Sequence, residues 1–201
     1  SPPPDAPAPV VSPPGADPAD PAGGGPSRPG ERSVDVDELL ARCPFPPAGT
    51  AFTAAVSGGA DSLALLVLAV AAGCDVTAVH VDHGLRPGSE READVVAAAA
   101  ARYGARFRSE RVDVEPGPNL EARARDARWA AIGPEASTGH TMDDRAETLL
   151  VNLLRGAGTT GLAALRPGPR HPLLALRRAE TEALSAAAGL DPVEDPSNRD
   201  P

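Results

Sequence analysis

The chain has 201 residues, a net charge of −9 and a pI near 4.9, with 41% hydrophobic and only 2% aromatic residues. That length suits one domain rather than two, and Leu, Val and Ala have to fill its core. The acidity excludes a generally basic protein that coats nucleic acid.

All 19 basic residues are arginines, a bias that coding preference explains. It leaves room for a local patch at Arg123, Arg125 and Arg128. Cys43 and Cys74 form neither a CxxC pair nor a zinc pattern, which fits a reduced, cytoplasmic setting. The longest apolar run, Leu63 to Ala72, is about half of the roughly 20 residues that span a bilayer. The first residues lack the basic start and apolar stretch of a signal peptide.

Residues 1–33 are dominated by Pro, Gly, Ala, Ser and Asp. Such a segment buries too little apolar surface to offset its ordering entropy, so it reads as a disordered tail. Its prolines are not set in a basic PxxP frame. The remaining chain, 34–201, reads as one domain. Val34 to Arg42 predicts a short helix stopped by Pro44. Thr50 to Val56 is a short strand running into a glycine loop. Ser62 to Ala72 is a helix apolar on nearly every face, hence buried, with Gly73 closing it. Asp75 to Val81 alternates and is β-branched, a second strand. Ser89 opens a helix to Tyr103 with a Ser89-x-x-Glu92 capping box. Arg106 to Val114 reads as a third strand, and Asn119 caps a helix to about Ile132. The short link from Trp129 to Gly139, broken by Gly133-Pro134, leaves space for at most a strand stub. Thr141 to Arg155 is a helix opened by Thr141-x-x-Asp144, then comes a glycine-rich loop, Gly156 to Gly161. Arg178 to Ala188 is the last helix. Strands alternating with helices predict an α/β fold, a parallel sheet with helices on both faces. In such sheets ligands sit beyond the carboxyl ends of the strands.

The loop Ser57-Gly58-Gly59-Ala60-Asp61-Ser62 stands at that edge. Paired glycines let the backbone turn tightly and approach a ligand. The free amides of the following helix start make an anion site suited to phosphate or pyrophosphate. Ser57 and Ser62 add hydroxyls. The loop is neither GxxxxGK[ST] nor GxGxxG.

His80-Val81-Asp82-His83-Gly84-Leu85-Arg86 closes the second strand at the same edge. On position alone its histidines read as strand-end surface residues or, less simply, as metal ligands. Arg125 and Arg128 are three apart and share a helix face. That face is either merely solvated or able to hold phosphates and transition-state charge. In Gly139-His140-Thr141-Met142-Asp143-Asp144-Arg145-Ala146-Glu147-Thr148, Asp143 and Asp144 sit in a first helical turn, favoured by the dipole. Asp144 and Glu147 face together, as a cationic amine requires. Asp143 suits Mg²⁺, a hard ion. Simple capping with an exposed acidic face explains the same residues.

Taken in order, these segments resemble the SGGxDS, HVDHGLR, NLEAxARxxRY and GHTxDDxAET motifs of the tRNA(Ile)-lysidine synthases, N-type ATP pyrophosphatases with a PP-loop. Trp129 stands where the third motif usually has Tyr. Leu153 to Gly158 resembles LLRGxG, Pro172 to Glu180 resembles PLLxxxRxE, and Glu194 to Asn198 resembles EDPSN. The resemblance spans about residues 50 to 200. It implies ATP and Mg²⁺ as cofactors and free lysine and an isoleucine tRNA with a CAU anticodon as partners. The implied reaction adenylates C2 of cytidine 34, then lets lysine displace AMP. Residue by residue it implies ATP binding by Ser57, Gly58, Gly59, Ala60, Asp61 and Ser62, and catalytic roles for Asp61, Arg125, Arg128, His140 and Asp143. It implies lysine binding by Asp144 and Glu147, and Mg²⁺ at Asp61 and Asp143. The usual arginine-rich stretch and helical extension after EDPSN are not in these 201 residues. Two other readings stand beside it: a different PP-loop tRNA enzyme, such as a thiolase, and a nucleotide-binding domain without full activity.

Overall fold

The computed structural model describes residues 34–82, 89–112, 120–156 and 166–193. The Pro-rich tail, His83 to Arg86, the Asn119 cap, most of the Gly156 to Gly161 loop and Glu194 to Asn198 lie outside the described residues.

The elements follow the expected alternation: α1 (Val36–Leu40), β1 (Ala51–Ala55), α2 (Ala60–Ala71), β2 (Asp75–Asp82), α3 (Ser89–Arg102), β3 (Arg106–Arg111), α4 (Leu120–Ile132), β4 (Ser137–Thr138), α5 (Met142–Leu154) and α6 (Arg178–Ala187). A 3-10 turn at Pro172–Ala175, which the sequence reading did not anticipate, precedes α6. The four strands form one sheet in the order β3-β2-β1-β4, and every pair is parallel.

Alternation along the strands sends apolar residues to both faces. Phe52, Ala54, Val76 and Ala78 meet α1, α2, α3 and α6 on one face. Val79 and Ala55 meet Ile132 and Trp129 of α4 on the other. Helix α2 is enclosed by β1, β2, α1, α3 and α6, so Leu63, Leu65, Leu66 and Leu68 are all fully buried. That enclosure is why the helix is apolar all round. The edge strand β3 instead carries exposed charge: Arg106 pairs with Asp75 at 3.0 Å and Arg108 with Glu110 at 3.4 Å. Charged edges discourage pairing with another chain.

Strand β4 is indeed a stub, two residues long, after the positive-φ Gly133. It registers Ser137 and Thr138 against Ala54 and Ala55. Its outer side is closed by residues 169–170: the Thr138 amide donates to Arg170 O at 2.9 Å and Ser137 Oγ to Pro169 O at 2.8 Å. Two ladder positions therefore suffice to set the direction of the chain at Gly139. Among the described residues no helix is long and apolar enough to cross a membrane.

Leu66→Ala should lower unfolding free energy by about 2–5 kcal/mol, the cost of a core cavity. The same change at Leu154, which is 88% exposed, should cost no more than about 0.5 kcal/mol. Urea unfolding of both variants checks the difference, and similar losses would contradict the assigned core.

Candidate functional site

Chain order reverses direction across the sheet between β1 and β4, since β2 and β3 lie on one side of β1 and β4 on the other. The loops leaving β1 and β4 diverge at such a switch point and open a crevice. Here those loops are Val56 to Gly59 and Gly139 to Thr141.

Val56, just past β1, is held in a fixed position. Its amide donates to Val79 O at 2.9 Å, and its carbonyl is 3.0 Å from His80 Nδ1. A carbonyl only accepts, so Nδ1 carries the hydrogen. His80 is 1% exposed, not the surface residue its strand-end position suggested. It sits on an interior strand, on the face covered by α2 and α3. Its Nε2 has no hydrogen-bond partner among the described residues. His83 lies outside the described residues.

Gly58 then turns at φ +90°, a left-handed conformation that a side chain disfavours. Its carbonyl accepts from Val193 N at 3.0 Å. Ser62 Oγ holds the loop from inside, accepting from Ser57 N at 3.2 Å and donating to Gly59 O at 2.8 Å. Ser57 Oγ lies 3.3 Å from it. Gly59 is the N-cap of α2 and supplies no side chain to cap it. The first-turn amides of α2 therefore face the crevice with the positive end of the helix dipole, the geometry of an anion cradle.

Gly139 explains how the second motif comes so close. A Cβ there would lie 2.7 Å from the Asp61 carbonyl oxygen and 3.0 Å from Ser62 N. Only glycine lets the chain leaving β4 pass the first turn of α2.

Three helix N-termini converge beyond this crossing, those of α2, α5 and α6. Asp144 Oδ2 accepts from Thr141 N at 2.6 Å and from Thr141 Oγ1 at 2.9 Å, the anticipated cap of α5. The Arg178 amide donates to Asp143 Oδ2 at 2.8 Å, and Met142 N to Leu176 O at 2.8 Å, which tie α5 to α6. Thr181 Oγ1 donates to Asp61 Oδ1, and Ser185 Oγ to Ala60 O at 2.9 Å, which tie α6 to α2.

The Arg178 guanidinium occupies the centre. Nη2 is 2.9 Å from Asp144 Oδ1, Nη1 is 3.3 Å from Glu147 Oε1, and Nε is 3.6 Å from Asp61 Oδ2. In the sequence Arg178 is a letter of the PLLxxxRxE run with no role assigned to it. The sequence holds only a partial signal for it: Asp143, Asp144 and Glu147 crowd one short stretch and call for a cation without saying which. Glu180, the last letter of that motif, accepts from Arg177 N at 2.7 Å and pairs with Arg42. It thereby caps α6 and ties it to Arg42, two residues past the end of α1.

Burial raises the Asp61 pKa, and Asp144 and Glu182 add to the rise against the opposing pull of Thr181 and Arg178. For Arg178, burial works against the charge, but Asp144, Glu147 and Asp61 outweigh it and raise its pKa.

His140 stands beside the crevice with Nδ1 2.6 Å from Thr138 Oγ1. Asp61, Asp143, Asp144 and Glu147 are thus gathered on one arginine. Arg128 is half-buried on α4, which packs through Trp129 and Ile132 on the opposite face of the sheet. The side chain of Arg125 lies outside the described residues. Among the described residues no group of three or more His, Cys, Asp or Glu is arranged to hold a metal. A Mg²⁺ carried on phosphates needs only one or two carboxylates, and Asp61 and Asp143 are donors of that chemical kind.

A raised Asp61 pKa means the folded state favours the protonated side chain. That contribution is complete below the ordinary aspartate value and is lost as pH rises through the raised one. Asp61→Asn should therefore gain on the parent protein between about pH 4 and about pH 7. Urea midpoints at the two ends measure it; a gap that fails to widen toward neutrality contradicts the assignment. Gly139→Ala should separate the α2 start from His140 and weaken nucleotide binding at least about tenfold, the cost of losing roughly 1.4 kcal/mol. Titration with a fluorescent ATP analogue reads this directly, and unchanged affinity would show the contact is dispensable.

The PP-loop domain family matches residues 34–201. A tRNA(Ile)-lysidine synthase of Nocardia farcinica is 48% identical over 164 residues, 77% of this chain and 52% of the relative. One from Thermus thermophilus is 44% identical over 161 residues, 73% of this chain and 32% of the relative. The chain thus spans about half the length, or less, of these curated relatives. Among solved structures, the U34-tRNA thiolase NcsA from Methanococcus maripaludis, with its [4Fe-4S] cluster, superposes with a TM-score of 0.60 at 19% identity, covering 80% of this chain and 64% of its own. That likeness concerns the fold alone. The match across 34–201, with an anion-cradling loop at the switch point of a parallel sheet, makes this chain a member of the PP-loop family.

Proposed function

We propose that this chain, with 34–201 as its PP-loop domain, is the ATP-using part of a cytoplasmic tRNA(Ile)-lysidine synthase. The observation that carries the reading is the junction at Gly139. There the SGGADS loop and the acidic GHTMDDRAET segment meet around Arg178. The similarity to curated lysidine synthases supplies the substrate class.

In this reading the amides from Gly58 to Ser62, with the hydroxyls of Ser57 and Ser62, hold the β- and γ-phosphates of ATP. The C2 oxygen of cytidine 34 attacks the α-phosphorus, and the bond to the departing pyrophosphate breaks. The ε-amine of free lysine then attacks C2; the C2–oxygen bond breaks, AMP leaves with the oxygen, and the amine loses a proton. Mg²⁺, when bound with ATP, would neutralise phosphate charge, and Asp61 and Asp143 are the carboxylates that would hold it. Arg125 and Arg128 stabilise phosphate charge from α4. Asp144 and Glu147 bind the lysine amine. Both Asp144 oxygens already have partners, so Glu147, the more exposed carboxylate, offers the amine its first contact. His140 handles a proton. The recognised tRNA carries a CAU anticodon.

The thiolase reading has the fold of NcsA in its favour. Sulfur chemistry needs a thiolate or a cluster. Burial pushes Cys43 up to about 11 and also raises Cys74, so both stay protonated.

The test is lysine-dependent release of AMP and pyrophosphate from ATP by the full-length protein. It compares an isoleucine tRNA carrying C34 with one carrying U34. Release with C34 alone is expected. ATP binding without release on either tRNA would instead support a nucleotide-binding domain without this activity. Asp61→Asn should remain folded and lose adenylation by at least about 10²-fold, in the range of a lost catalytic group. A fully active variant removes Asp61 from the mechanism.

A further inference from the structure

Thr138, the second residue of β4, holds two imidazoles at once. Its Oγ1 is 2.6 Å from His140 Nδ1 and 2.8 Å from His171 Nδ1. The two rings stand edge to face with centroids 5.2 Å apart. His171 stands just before the PLLxxxRxE run, outside every family motif, and it is brought here from 33 residues downstream.

The backbone around the three residues is fixed. Thr138 is 7% exposed and pairs with Ala55 in the sheet. Its amide donates to Arg170 O, and His171 N donates to Gly168 O at 2.9 Å. Arg170 lies over the Trp129 ring at 5.4 Å, which anchors that segment from the other side.

A threonine hydroxyl has one hydrogen and accepts through its lone pairs. It donates to one ring and accepts from the other. Two neutral imidazoles joined in this way carry opposite tautomers. The ring that accepts has its own hydrogen on Nε2. The ring that donates has its hydrogen on Nδ1 and an unprotonated Nε2. Burial first, then His140 and Arg170, lower the His171 pKa and so favour its neutral form. Changing the tautomer of either ring therefore requires the hydroxyl to turn and the other ring to change as well.

We propose that His171, acting through Thr138, is a positioning residue that sets the tautomer of His140 and gives its proton a way out. The inference rests on the function proposed above for the identity of the proton, which is the one the attacking amine loses. With His140 in its Nδ1–H form, Nε2 takes that proton. The Nδ1 hydrogen passes to Thr138 Oγ1, the threonine hydrogen passes to His171 Nδ1, and His171 releases its Nε2 hydrogen to solvent. No bond other than N–H and O–H forms or breaks, and His140 ends neutral.

The first measurement is the tautomer itself, from the imidazole ¹⁵N shifts of the full-length protein at neutral pH without ligands. Single His→Gln variants assign the four histidines. Opposite tautomers at His140 and His171 are expected. Thr138→Val should abolish that opposition and Thr138→Ser should keep it, with urea midpoints confirming that both variants fold. In the lysine-dependent assay, Thr138→Val and His171→Phe should lower kcat by about tenfold or more, the lower part of the range for proton-transfer assistance. The KM for ATP should stay within about twofold, and Thr138→Ser should recover most of the rate. The same tautomer on both rings, or a Thr138→Val protein with unchanged shifts, overturns the inference. So does equal activity of the Val and Ser variants. Opposite tautomers that depend on Thr138, in a protein without lysine-dependent AMP release, would uphold the wiring and sink the proposed function instead.

Discussion

Everything at the crevice depends on where Arg178 stands. Its guanidinium spans Asp61, Asp144 and Glu147, and its amide holds Asp143. Asp61, Asp143 and Asp144 come from the first turns of α2 and α5, Glu147 lies one turn further along α5, and Arg178 itself begins α6. One residue therefore fixes three helix N-termini relative to each other. Carboxylates at helix N-termini are favoured individually, but three of them with Glu147 close by repel. A single planar, permanently charged donor group is suited to meet several carboxylates at once. The pair energies are modest, since the guanidinium is 39% exposed and solvent screens it. Its contribution is geometric, in fixing which way the first-turn amides point.

The second constraint is the brevity of β4. A full strand would register the chain along the whole of β1. Here two residues do so, and residues 169–170 brace them from outside. The glycine that follows then has no side chain to hold it away from α2. The short segment thus leaves the contact between the two motifs intact, because that contact depends on the strand's end rather than its length. The same bracing brings His171 to Thr138, so the segment that closes the sheet edge also completes the environment of His140.

Much of this was legible in the sequence. The alternating strands, the all-apolar α2, the Thr141-Asp144 cap and the glycine loop each follow from local pattern and backbone preference, and each formed as expected. The pairing of Asp144 with Glu147 on one face follows from helical spacing. The cation between them did not follow, because Arg178 lies 31 residues beyond Glu147 and only the docking of α6 brings it back. His80 was misjudged for a related reason. Strand position alone says nothing of the helices laid over that strand, and α2 and α3 bury it. His171 had no periodic signal at all. Its place is set by the closure of β4, a tertiary event that no local window contains.

The charge balance gives the proposed chemistry its physical motive. Three carboxylates gather on one guanidinium and a fourth on the amide of the same residue, so the cluster stays negative even with Arg178 in place. Burial first, then Asp144 and Glu182, raise the pKa of Asp61, a cost of holding a carboxylate half-buried among its own kind. The α2 cradle beside it presents the opposite character, free amides and the positive end of a dipole. A ligand that carries phosphates into the cradle and a cation to the carboxylates relieves both at once. ATP with Mg²⁺ has that pairing of charges, and in the proposed reaction the lysine ammonium, before it loses a proton to become the nucleophile, would add a second cation at Glu147. Bound together they would turn Asp61 from a residue that destabilises the fold into one whose charge is fully compensated, the usual sign of a group retained for function rather than stability.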